Sequence, residues 1–94
     1  MTTFTLRYAG QPVNITLTDQ DGLVAEDKWL KVINGAPGLG QLEVIVNGAK
    51  FKLAAMQNNQ EYTLDISSAM RLSGNVVTLT PKGRPGSADI SIGN

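Results

Sequence analysis

The chain predicts an all-β fold, a single antiparallel β-sandwich of about seven or eight short strands spanning residues 1–94. Three observations carry this reading. Apolar and polar residues alternate with period two along most of the chain, which puts every second side chain on one face of a strand. Turn formers recur roughly every eight to twelve residues. No long segment has helical periodicity.

The elements follow in order. Phe4, Leu6 and Tyr8 alternate with Thr3, Thr5 and Arg7, and Ala9-Gly10-Gln11 turns the chain. Val13, Ile15 and Leu17 alternate with Asn14, Thr16 and Thr18, and Asp19-Gln20-Asp21-Gly22 breaks the pattern. Leu23, Asp27 and Leu30 have helical spacing, which allows a short helical turn in residues 23–29. Lys28 to Asn34 reads as a strand, rich in Trp, Val and Ile. Asn47-Gly48 suits the two positive-φ positions of a type I′ turn, and counting outward sets the hairpin register. Leu42, Val44, Val46, Phe51 and Leu53 then share an apolar face, and Glu43 stands across from Lys52 as a cross-strand pair. Tyr62, Leu64 and Ile66 form a further inward set. Ser67 to Leu72 reads as one helical turn with Ser67 as N-cap and Gly74 as terminator. Val77 and Leu79, then Ala88, Ile90 and Ile92, complete the inward positions.

Composition bounds the function. Ninety-four residues form one domain that buries only about 60–65% of its unfolded surface. The absence of histidine and cysteine removes the commonest general base, the commonest metal ligands and any disulfide. A Ser–Lys pair lacks a strained glycine elbow, and the carboxylates fall on outward strand positions or in turns, so no catalytic residue and no cofactor is expected. Eight basic and eight acidic residues cancel, without the basic stripe that nucleic acid requires. Lys82 and Arg84 share one loop and read as solvated charge. No apolar run approaches the ~20 residues of a membrane span. The first residues lack the charged start and apolar stretch of a secretory signal, while plentiful Thr, Asn and Gly fit an extracellular module. Either the chain stays in the cytoplasm or it is a domain excised from a longer precursor.

Few residues stand out as site candidates. Asp19 and Asp21, followed by Glu26 and Asp27, share the opening of a calcium loop, but Leu23 and Leu30 occupy later ligand positions, so an acidic turn is the plainer reading. On a regular strand Leu30 and Val32 point inward while Trp29, Lys31 and Ile33 point outward. Ile45 and Val76 also fall on outward parities. Trp29, Lys31, Ile33 and Ile45 thus form the expected contact surface, for a protein partner, for self-association, or for a sugar ring stacked on Trp29 with help from Asn58 and Asn59. A bulge or helical turn would instead return Trp29 to the core. Asn14-Ile15-Thr16 fits a glycosylation sequon placed mid-strand.

The order Val46-Asn47-Gly48, then Tyr62-Thr63-Leu64-Asp65-Ile66-Ser67-Ser68-Ala69-Met70, then Gly74-Asn75-Val76-Val77-Thr78-Leu79 resembles the galactose-binding-like jelly roll of β-galactosidase-type glycoside hydrolases. It covers roughly residues 42–80. The resemblance implies a non-catalytic accessory module and carries over no binding residue. An immunoglobulin-like sandwich fits the length and strand count as well.

Overall fold

The computed structural model describes residues 1–94. It contains eight strands: β1 (Thr2–Tyr8), β2 (Ile15–Thr18), β3 (Trp29–Asn34), β4 (Gln41–Val46), β5 (Ala49–Leu53), β6 (Glu61–Asp65), β7 (Val76–Lys82) and β8 (Gly86–Gly93). They form two antiparallel four-stranded sheets, β1-β8-β3-β6 and β2-β7-β4-β5, an arrangement that fits a β-sandwich. No helix is long and apolar enough to cross a membrane.

The pairing is nested. β4 pairs with β5, β3 with β6, β2 with β7 and β1 with β8. The chain is therefore one long hairpin with its tip at Asn47-Gly48, and β3·β8 and β4·β7 contacts close its two sheets. Asn47 and Gly48 take φ values of 49° and 88°, the left-handed pair that the tip requires. The register counted from that turn holds at every position, from Val46↔Ala49 to Leu42↔Leu53. Glu43 does face Lys52, but its carboxylate pairs with Lys82 on the neighbouring β7, at 3.2 Å.

The core follows the alternation. Leu6, Leu17, Leu30, Val32, Leu42, Val44, Val46, Val77, Leu79, Ala88, Ile90 and Ile92 are buried strand residues, and Ile66 joins them just beyond β6. Burial of each Val, Leu or Ile side chain among them stabilises the fold by roughly 1.5–3 kcal/mol. Leu23, Leu39 and Met56 are equally buried although they lie in connections, where no periodicity marks them. Pro81 is tolerated inside β7 because β2 pairs only as far as Leu79, leaving no ladder donor missing on that side. Beyond that point Thr80 Oγ1 donates to Asn14 Oδ1 at 2.6 Å, and Asn14 precedes β2 rather than lying mid-strand.

The helical turn near residues 67–72 forms, though shorter than its spacing suggests, and the one allowed in residues 23–29 does not. Residues 23–28 hold one turn at Ala25-Glu26 and no helix, and Trp29 opens β3. Instead a 3₁₀ turn forms at Asp19–Asp21, capped by Thr18 and closed by Gly22 at φ 104°. The second turn covers only Ser67–Ala69, with Ile66 at the N-cap and Met70 ending it in an extended conformation. Ser67 is not the cap, because Asp65 Oδ1 already accepts from the Ser67 amide (3.0 Å) and hydroxyl (2.6 Å).

Connections β1–β2, β3–β4, β5–β6 and β7–β8 gather at one pole of the sandwich. The other three gather at the opposite pole, together with both chain ends.

Candidate functional site

The predicted contact residues divide between two faces. Leu30 and Val32 point inward, leaving Trp29, Lys31 and Ile33 on the outer face of the β1-β8-β3-β6 sheet. Ile45 lies on the outer face of the other sheet, beside Thr78 and Lys50, so it shares no surface with Trp29. Parity alone assigned it outward; strand order then set it on the far side. The Trp29 ring is half-buried. It lies across Gly93, where a Cβ would come within 3.2 Å of the benzo ring. Lys31 Nζ sits 5.4 Å from the ring centroid and 3.1 Å from Glu61 Oε1. Indole, ammonium and carboxylate thus form a connected surface group.

The chain-end pole is tied together by hydrogen bonds. Asp19 accepts from the Gly74 amide at 2.7 Å and from the Asn75 amide at 3.1 Å. The Gly74 amide is the largest cause holding the Asp19 carboxyl below the ordinary aspartate range; partial desolvation opposes it and Asn75 adds to it. Ser67 lowers Asp65 in the same way, its hydroxyl first and its amide second. Asp21 Oδ2 accepts from the Thr18 amide at 2.8 Å. These carboxylates cap backbone donors, and no group of three or more Asp, Glu, His or Cys side chains converges on a metal position. The buried Asn75 side chain brackets Arg71, accepting from its amide at 2.8 Å and donating to its carbonyl at 3.0 Å. Asn47 Nδ2 donates to Ala69 O and Asn75 Oδ1, and Asn47 Oδ1 accepts from the Val76 amide.

On this braced loop Leu72 stands 94% exposed, and Met1 (81%), Val24 (46%) and Val76 (42%) lie at the same pole. Sequence reading placed Leu72 in a helical turn and passed over it. An apolar residue after the serine-rich turn was the available signal.

The opposite pole is polar and concave. A cleft of about 640 Å³ is lined by Gln57, Asn58, Gln60, Glu61, Tyr62 and Arg84. Arg84 organises it: like Lys82 it is exposed, as read from the sequence, but it also holds loop carbonyls. Its Nε donates to Gly38 O at 3.1 Å, and Nη2 to Met56 O at 2.8 Å, with longer contacts to Leu39 O (3.3 Å) and Asn58 Oδ1 (3.4 Å). Tyr62 Oη accepts from the Gln57 amide at 2.7 Å. Asn58 Oδ1 accepts from the Gly38 amide at 2.9 Å. Beneath them the buried Asn34 donates to Leu39 O (2.9 Å) and Gln57 O (3.0 Å) and accepts from the Leu39 amide (2.8 Å). Loops distant in sequence are thereby latched into one rim. Asn58 belongs to it, as a brace to Gly38 and Arg84, while Trp29 lies toward the other pole.

No protein-family model matches the chain, and neither a curated protein nor a solved structure matches it, so the resemblance over residues 42–80 rests on those residues alone.

Proposed function

We propose that the chain is a non-catalytic jelly-roll module that works by contact, pairing its chain-end pole with that of a second copy. The jelly-roll reading is supported by the strand order β1-β8-β3-β6 and β2-β7-β4-β5, which is a nested hairpin rolled into two sheets. An immunoglobulin-like domain would group its strands differently, with three or more strands of its first half in one sheet. The non-catalytic reading is supported by the lack of histidine and cysteine and by carboxylates already engaged with backbone amides.

One observation carries the contact reading: Leu72 is 94% exposed on a loop whose backbone is fixed by Asn75 and Asp19. A mobile loop could fold such a side chain away; a braced one presents it to a partner. A second copy suits this pole because the formal net charge is zero, so no long-range repulsion opposes approach. The two shorter extents of the molecule, 23 and 20 Å, make the pole a small contact face. Association is therefore weak. Sedimentation velocity from about 10 μM to about 1 mM should show a concentration-dependent dimer. Leu72→Ser should abolish that dimer without altering thermal unfolding. A wild-type monomer across the range overturns the self-pairing.

The Trp29 sugar platform is less well supported, since Lys31 occupies space over the ring and the ring is half-buried.

A further inference from the structure

We propose that the cleft at the loop pole binds an acidic saccharide, a sugar ring bearing a carboxylate among vicinal hydroxyls. The inference is independent of the self-pairing, which involves the opposite end of the molecule.

The polar groups left over after the fold is satisfied point to this chemistry. Arg84 uses Nε and Nη2 to hold the rim, and its Nη1 has no hydrogen-bond partner in the protein. All of its acceptors are neutral carbonyl or amide oxygens. The two ion pairs of the structure, Lys31–Glu61 and Lys82–Glu43, leave it without a carboxylate. Glu61 also lines the cleft and is paired with Lys31 at 3.1 Å. The cleft therefore carries one uncompensated, preorganised guanidinium, whose free edge suits a ligand carboxylate.

The remaining lining suits hydroxyls. Asn58 Nδ2 is free because only its Oδ1 is used by the fold, and the Gln60 side chain has no intramolecular partner. Tyr62 Oη accepts from Gln57, so its own proton remains available to donate. Amide side chains offer a donor and an acceptor side by side, the pattern that a pair of adjacent hydroxyls presents in reverse. Tyr62 is the one aromatic or apolar lining residue and packs against the core, so the lining is otherwise polar and offers little anchor for an apolar side chain. The cleft volume of about 640 Å³ falls within the ~300–1,000 Å³ of small-molecule sites. Asn34 and Arg84 already fix the rim, so a ligand need not order it.

The test is a titration of the ¹⁵N-labelled protein with a galacturonate trimer and, in parallel, a neutral galactose trimer. The acidic trimer should shift the side-chain amide signals of Gln57, Asn58 and Gln60 and the Nε–H of Arg84. Gln60→Ala, which removes no hydrogen bond of the fold, should weaken binding several-fold. Raising the salt to about 0.5 M should weaken it as well, as screening of a single charge pair requires. Equal affinity for the neutral trimer overturns the carboxylate assignment. No shift at the cleft up to about 20 mM trimer, or shifts confined to Lys50 and Lys52 on the outer sheet face, overturns the site. Neither result would alter the sedimentation of Leu72→Ser, so failure here is distinguishable from failure of the self-pairing.

Discussion

At the scale of single residues, the polar side chains of this protein act mostly on its own backbone. Asn34, Asn47, Asn75, Asp19 and Arg84 each hold two or more main-chain groups that belong to no strand ladder. Buried amides and carbonyls left without partners would each be destabilising by about 1–3 kcal/mol, so these side chains maintain the two poles. Asp19 makes the effect visible through pH. Its folded-state pKa is depressed, so its contribution is present above the unfolded-state value and is lost as pH falls through the folded-state one. Asp19→Asn should therefore be less stable than wild type at neutral pH, and the difference should shrink between about pH 5 and about pH 2. Urea midpoints measured at stepped pH check this; a constant difference would mean that charge is not involved. None of these roles could be read from the chain. A polar residue in a loop reads as solvated until the backbone group it caps is known, and Arg84 is the plainest case.

At the scale of elements, strands were legible and connections were not. The period-two pattern marked the inner face of every strand, since water on one side and a core on the other impose it. The Asn47-Gly48 turn set its own register because only a few residues accept two successive left-handed positions. The helical turn near residues 67–72 is present as the shorter Ser67–Ala69, whereas Leu23, Asp27 and Leu30 form no helix, because three residues at helical spacing fit a turn as well. Leu39 and Met56 went unseen for the same reason: a buried loop residue has no period. The hairpin tip allows a comparison. A Cβ at Gly48 would meet no atom within 4 Å, so Gly48→Ala loses only the ease of its positive φ, about 1–2 kcal/mol. Asn47→Ala removes three hydrogen-bond partners as well and should lose more, about 2–4 kcal/mol. Chemical denaturation of both variants gives the order, and a reversed order would show that the side-chain bonds of Asn47 contribute little. Gly86 is constrained differently, since a Cβ there would run into the Gly38 carbonyl where β8 begins beside the β3–β4 connection.

At the scale of the whole molecule, nested pairing separates two surfaces of opposite character. Odd and even connections collect at opposite ends, which puts the polar cleft and Leu72 at opposite poles of the sandwich. Strand order was invisible in the chain, because alternation marks which face a residue takes and not which strand lies beside it. Ile45 and Trp29 were grouped for that reason. The same nesting has a mechanical consequence. β1 and β8 are antiparallel neighbours, from Thr2↔Ile92 to Tyr8↔Gly86, and their free ends emerge side by side. A load applied between those ends peels the ladder open one rung at a time. A load between Met1 and Pro85, at the far end of the same strand pair, pulls all the rungs at once. Force spectroscopy with handles at the two ends should therefore record a far lower rupture force than handles at Met1 and Pro85. Tethered by its ends, the protein behaves as a zipper; gripped across its length, it behaves as a clasp.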